Sequence, residues 1–351
     1  MVFRRISLLP ISIAYGLVTM LRNLLFDMKV LREKSHDVTV ISVGNLSMGG
    51  TGKTPHVEYL VRLLKDRFNI AVLSRGYGRK TKGFRLADEH TNAFLIGDEP
   101  NQYYQKFKDI SVAVDGRRNR GVAKLREINP ELNAIILDDA FQHRWIKPHL
   151  SIMLSDFHNL YYKDCVFPSG SLREFKMGAR RADIIIITKT PVVVSPITRR
   201  SIKEEMNLRP YQKLLFSRIQ YDGFISYKTL EKEPKPPKVS SIILFTGIAN
   251  SYPLQDYLKQ FCNELIVIDF PDHHFYKEKD IRLVLKAFDD QFAKNKILIT
   301  TEKDVQRLNV SPKKDLLKDL PIFYVPIHIS FHHDDEDDLK SSIDNLFRKT
   351  H

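Results

Sequence analysis

Apolar residues recur at Ile6, Leu9, Ile13, Leu17, Met20, Leu24 and Met28, a spacing that lines one face of a helix. No charge falls between Ile6 and Leu21, while Arg4 and Arg5 precede the stretch and Arg22 follows it. These 16 residues are shorter than the roughly 20 needed to span a bilayer, and Pro10 interrupts them. The pattern therefore predicts an amphipathic helix over residues 1–34 that lies in a membrane interface, its flanking arginines suited to anionic headgroups. A signal peptide would need a better cleavage site than Ser12-Ile13-Ala14. A short transmembrane anchor and an ordinary buried helix are the competing readings.

From Val38 onward, short β-branched runs alternate with longer amphipathic stretches, the pattern of a mostly parallel α/β sheet. Expected strands are Val38–Val43, Ile70–Leu73, Ser111–Val114, Ala134–Leu137, Ser151–Leu154 and Ile184–Ile187. Regularity weakens after Leu215. Arg218–Leu230 reads as a strand pair, and the Lys/Pro-rich 232–238 as a stiff linker. A second series follows at Ser241–Phe245, Leu265–Phe270, Lys296–Thr301 and Ile322–Val325, with a helix over Asp280–Lys294. The expected architecture is α/β: a P-loop NTPase-like parallel-sheet domain (35–215), a short strand-pair linker (216–240) and a second, smaller α/β domain (241–351) closing a cleft. The acidic run Asp334–Asp338 beside His332 and His333 reads as a helix start rather than a metal site.

Composition adds one constraint. A net charge of +13 favours an anionic partner, whether nucleic acid, phosphorylated ligand or acidic membrane. The two cysteines, Cys165 and Cys262, imply no disulfide framework.

The strongest chemical signal is Ser47-Met48-Gly49-Gly50-Thr51-Gly52-Lys53-Thr54, directly after an expected strand. Strand, glycine-rich turn and helix start aim backbone N–H groups at one point, which binds phosphate. Lys53 would reach the β- and γ-phosphates of ATP, and the Thr54 hydroxyl would ligate Mg²⁺. Ser47 stands where the usual pattern opens with glycine. Ala134–Leu137 followed by Asp138 and Asp139 supplies the second Mg²⁺ partner, from one or other acid. Thr188-Lys189-Thr190-Pro191 has proline where a guanine-reading loop needs a carboxylate, so adenine is expected. A membrane-cycling ATPase of the cell-division type would carry a lysine where Met48 or Gly49 stands.

With these residues in place, the sequence resembles the tetraacyldisaccharide 4′-kinases of lipid A biosynthesis, from the N-terminal helix to about residue 310. The resemblance rests on the order of Ser42-Val43-Gly44-Asn45-Leu46, the loop Gly49–Pro55, Leu73-Ser74-Arg75-Gly76-Tyr77-Gly78, Gly97-Asp98-Glu99-Pro100, Asp138-Asp139-Ala140-Phe141-Gln142-His143 and Leu172-Arg173-Glu174. Phe245–Asn250, Pro271-Asp272-His273-His274 and Thr300-Thr301-Glu302-Lys303-Asp304 continue it. Ala140 and Phe175 stand where the family usually has glycine and proline.

The resemblance implies transfer of phosphate from ATP to the 4′-hydroxyl of a lipid A disaccharide 1-phosphate precursor. It places the enzyme at the cytoplasmic side of the inner membrane, peripheral or monotopic, as a monomer that binds no nucleic acid. It also places the catalytic base at Asp98, with His273 preferred to His274 as its partner across the cleft, and gives Lys53 and Asp139 catalytic roles beside them. Arg75 would contact a phosphate of ATP or of the lipid, and Gln142, His143 and Arg173 would serve the substrate or metal site. Arg117, Arg118 and Arg120 offer further cations at the same edge, or a solvated basic turn. The alternatives are a membrane-tethered ATPase switch and, from the basic charge alone, a nucleic-acid-binding NTPase.

Overall fold

The computed structural model describes residues 7–233, 238–272, 274–311, 314–317 and 319–350. A helix, α1 (Leu9–Asp27), precedes β1 (Thr39–Asn45) and α2 (Lys53–Leu64). There follow β2 (Ile70–Ser74), β3 (Arg85–Leu86), the short helix α3 (Ala93–Ile96), α4 (Asp98–Lys106), β4 (Ser111–Val114), α5 (Arg118–Ile128), β5 (Ala134–Asp138) and β6 (Leu150–Asp156). Next are β7 (Ile184–Thr188), α6 (Pro196–Met206) and β8 (Lys213–Tyr221). These strands, with a late arrival described below, make one nine-stranded sheet whose interior strands are all parallel. Its central strands are continuous apolar runs because helices cover both faces. All seven residues of β1 and all five of β7 are buried.

The chain then enters a second sheet through β9 (Ile225–Ser226), β10 (Val239–Thr246), α7 (Tyr252–Leu258), β11 (Cys262–Asp269), α8 (Glu278–Asp289), β12 (Lys296–Thr301), α9 (Glu302–Asn309) and β13 (Ile322–Val325). The spatial order is β11-β10-β12-β13-β9, parallel except for β9.

Two expectations are corrected here. Arg218–Leu230 is not a strand pair: β8 extends the first sheet, while β9 pairs with β13 in the second. Residues 241–351 do not stay together either. Immediately after Pro326 the chain returns as β14 (Ile327–Phe331), antiparallel to β8 at the edge of the first sheet. The final helix, α10 (Asp335–Thr350), sends Leu339, Ile343 and Phe347 into the same core as Ile41 and Val43. Apolar alternation identifies a strand but not its partner, so these long-range pairings left no local trace. The acidic residues 335–338 do occupy a first helical turn.

Helix α1 is not an ordinary buried helix. The face against the protein is small or polar: Ser12 bonds Ser169 at 2.9 Å, and a Cβ on Gly16 would fall 2.4 Å from the Phe175 ring. Phe26 closes the contact against Trp145. The large apolar side chains point outward, with Val18 69% and Leu21 57% exposed. Phe175, the departure from the family's proline, fills the notch that Gly16 leaves.

Candidate active site at the strand ends

The glycine-rich loop hangs between β1 and α2 and is held from both sides. Met48 N–H donates to Ser171 O at 2.7 Å, and Ser47 bridges to Leu172. Further on, Thr188 Oγ1 donates to Thr51 O at 2.9 Å, and Asn45 Nδ2 donates to Thr51 Oγ1 at 2.9 Å. Gly49 (φ +108°) and Gly52 (φ +86°) adopt left-handed backbone that a Cβ would strain. A Cβ on Gly49 or Gly50 would meet nothing within 4 Å, so this stretch borders open space. Lys53 opens α2 with its ammonium 3.4 Å from Asn45 Oδ1 and 3.6 Å from Asp139. Thr54 is buried behind it, facing the Tyr103 side chain of α4.

The paired acids end β5 and differ sharply. Asp138 is buried, accepts from Ser74 Oγ at 3.2 Å, and is pushed up to about 6 by burial and by the charges of Asp139 and Glu99. Burial works against ionisation of Asp139 too, but Lys53 and Arg173 outweigh it and hold that carboxyl below the usual range. Arg173 donates to Asp139 Oδ1 at 2.8 Å and to Gln142 Oε1 at 3.4 Å. Among the described residues, no cluster of three or more His, Cys, Asp or Glu can hold a metal alone. The residues still fit Mg²⁺ in the company of phosphates: Thr54, Ser74, Asp138 and Asp139 are hard oxygen donors, and Asp138 is a buried, under-compensated negative charge.

Because the folded state favours protonated Asp138, stability is lost as pH rises from about 4 to about 6, and the full cost of the ionised form is present above that. At pH 8 without metal or nucleotide, Asp138→Asn should raise urea-unfolding stability by about 2 kcal/mol while abolishing turnover. The gain should vanish near pH 4. A variant destabilised at both pH values would refute this electrostatic reading.

Asp98 begins α4, which packs against α9 of the second sheet. Gly97 N-caps the helix at φ +96°, and a Cβ there would lie 2.7 Å from Tyr77 O, so only glycine lets the two loops touch. Arg307 Nε, on α9, donates to Asp98 Oδ2 at 3.0 Å. The fully buried guanidinium also donates to Gly247 O at 2.7 Å and Asp304 Oδ1 at 3.1 Å. Neighbouring rungs are Lys303 to Glu99 at 3.3 Å and Asn101 to Gln306 at 2.8 Å. His273 lies outside the described residues. His274 is committed elsewhere: it stacks on Phe270 and bonds Asp280 at 2.9 Å.

The remaining cations divide. Arg75 is exposed at the same edge, and its field, with those of Arg118 and Arg22, adds to burial in pushing the His143 imidazole down to about 4. Arg118 is buried, donating to Asp115 O at 2.7 Å and Asp138 O at 3.2 Å. Arg117 and Arg120 are both exposed, and Arg120 forks onto Asp115 at 2.8 and 2.9 Å. Gln142 donates to Asn45 O at 2.8 Å and to Glu174 Oε1 at 3.2 Å. Glu174 in turn accepts from Asn23 of α1 at 2.5 Å.

The same strand ends carry a lysine-tipped glycine loop, paired acids and a cluster of arginines, and a family model described as tetraacyldisaccharide-1-P 4′-kinase matches residues 4–348. The chain belongs to this kinase family. A tetraacyldisaccharide 4′-kinase of Parabacteroides distasonis is 44% identical, with 94% of this chain and 91% of that protein covered. That of Phocaeicola vulgatus is 41% identical, covering 97% and 95%. The crystal structure of LpxK from Aquifex aeolicus in complex with ATP aligns with a TM-score of 0.74 at 29% identity, over 98% of this chain and 99% of that one. The mixed α/β architecture with parallel sheets is thus that of the family.

Motif reading overlooked several residues that contact these side chains. Arg307 stands three residues beyond Asp304, a helical spacing visible in the sequence. Tyr103 and Asn23 carry no local signal, since each meets partners distant in the chain.

Proposed function

We propose that the ends of β1 and β5 hold Mg²⁺-ATP, and that Asp98 takes the proton of the attacking hydroxyl. As a member of this family the chain is an ATP-dependent tetraacyldisaccharide 4′-kinase, transferring phosphate to the 4′-hydroxyl of a tetraacyldisaccharide 1-phosphate. The observation that carries the site reading is the convergence of Lys53, Asp139 and Arg173 beside an open glycine loop. Lys53 rests between two weak partners, so little is lost when its ammonium moves onto a phosphate. Thr54 with Asp138 and Asp139 would hold Mg²⁺, which when bound neutralises phosphate charge. Arg75 and Arg173 supply further positive charge to ATP or to the lipid phosphate. Asp98, oriented by Arg307, receives the proton, and His273 is its proposed partner across the cleft.

The acceptor reaches this site from a bilayer. Outward-facing apolar residues on α1, with Arg22 at its level, suit the anionic cytoplasmic surface of the inner membrane, on which the chain would act as a monomer. The nucleic-acid reading rests on the net charge of +13 alone, which the anionic lipid and nucleotide account for equally well. The test is a vesicle assay. The chain should add one phosphate to disaccharide lipid embedded in anionic vesicles. The triple variant Leu17→Ser, Val18→Ser, Leu21→Ser should stay in the supernatant when vesicles are sedimented, yet phosphorylate detergent-dispersed lipid normally. Equal activity of both proteins on vesicles would sink the membrane assignment.

A further inference from the structure

We propose that His56, one turn into α2, is a positioning residue for phosphate binding: its ring fixes the Gly52 carbonyl and thereby the aim of the glycine loop. His56 Nδ1 lies 2.7 Å from Gly52 O, whereas the backbone N–H of His56 reaches the same oxygen only at 3.3 Å. A carbonyl only accepts, so Nδ1 carries the hydrogen and the ring makes the tighter of the two bonds. Nε2, on the other side, is 2.9 Å from Ser217 Oγ in β8, which is wholly buried.

Gly52 is the left-handed residue directly before Lys53 and Thr54. With Thr188 on the Thr51 carbonyl, His56 completes a pair of anchors that hold two successive loop carbonyls, one from β7 and one from α2. Turning carbonyls one way turns the intervening amides the other way, toward the phosphate position. The two anchors belong to the side of the sheet that carries β14, because His332 bonds Thr190 at 2.7 Å and Thr190 in turn bonds Ser217 O at 3.0 Å. A ring serving only to fill the core would need neither of its polar contacts.

The inference rests on the loop being the ATP-phosphate site, and the variants separate the two claims. An asparagine places an amide nitrogen where Nδ1 stands, and a glutamine reaches only toward Nε2. His56→Val should raise Kd and KM for Mg²⁺-ATP about fivefold, the factor matching one lost buried hydrogen bond, with KM for the lipid unchanged. His56→Asn should restore ATP affinity to within about twofold, while His56→Gln should not. Ser217→Ala should leave ATP affinity near normal. Should the valine variant fail to fold, the asparagine and glutamine pair still decides the matter. Equal losses in those two, or unchanged ATP affinity in valine, would overturn the positioning role. A Lys53→Met protein that keeps normal ATP affinity and turnover would instead overturn the loop as the phosphate site.

Discussion

Lys53→Met should lower turnover by about 10³-fold or more while the protein melts within a few degrees of the native chain. Two features set these magnitudes apart. In the resting site the ammonium stands 3.6 Å from Asp139 and 3.4 Å from Asn45, neither of them a strong contact. Asp139 also keeps the tighter 2.8 Å bond from Arg173 when Lys53 is gone. Folding therefore loses little. On the proposed reading, transfer loses a flexible cation placed to follow charge onto the leaving phosphates, where a preorganised donor counts most. Steady-state kinetics with Mg²⁺-ATP and detergent-dispersed lipid, alongside thermal melts, measure both quantities. Near-native turnover would show that another group neutralises the phosphates.

Asp98→Asn should cut kcat by about 10²- to 10⁴-fold with Kd for Mg²⁺-ATP nearly unchanged. Asparagine keeps an oxygen for the Arg307 bond but cannot take a proton. Asp98→Ala is the harsher change, because it strips a carboxylate from a guanidinium with no solvent exposure. It should lower both turnover and melting temperature. The contrast between the variants separates chemistry from packing. If Asp98→Asn weakened nucleotide binding as much as turnover, Asp98 would be a nucleotide contact rather than the base.

How much of this was legible beforehand depends on the distance over which each feature is encoded. Gly49–Thr54 after a buried β-branched strand, and Asp138-Asp139 after another, are contiguous, so sequence alone locates both strand ends. The amphipathic pattern of α1 is likewise local, and it yields the stripe correctly. Which way the stripe faces is decided by its neighbours: Ser169 and Phe175 accept only the Ser12 and Gly16 face. Arg117, Arg118 and Arg120 look equivalent as a basic turn, yet the start of α5 buries Arg118 and leaves the other two exposed, Arg120 held on Asp115. The Asp98–Arg307 pair joins residues 209 positions apart, and nothing in either motif names the other.

The return of the chain after Pro326 also orders events in time. Residues between β8 and β14 form an insertion, entered at Asp222 and left at Pro326, and these two crossings are themselves bonded, Asp222 N–H to Pro326 O at 3.0 Å. A ribosome therefore completes the entire inserted sheet before it delivers β14 and α10 to the first sheet. Until Ile343 and Phe347 arrive, the face of the first sheet that they cover is bare. A nascent chain in that state holds a finished insert on an unfinished host. Loss of only the later turns of α10 would consequently damage the half of the molecule synthesised first.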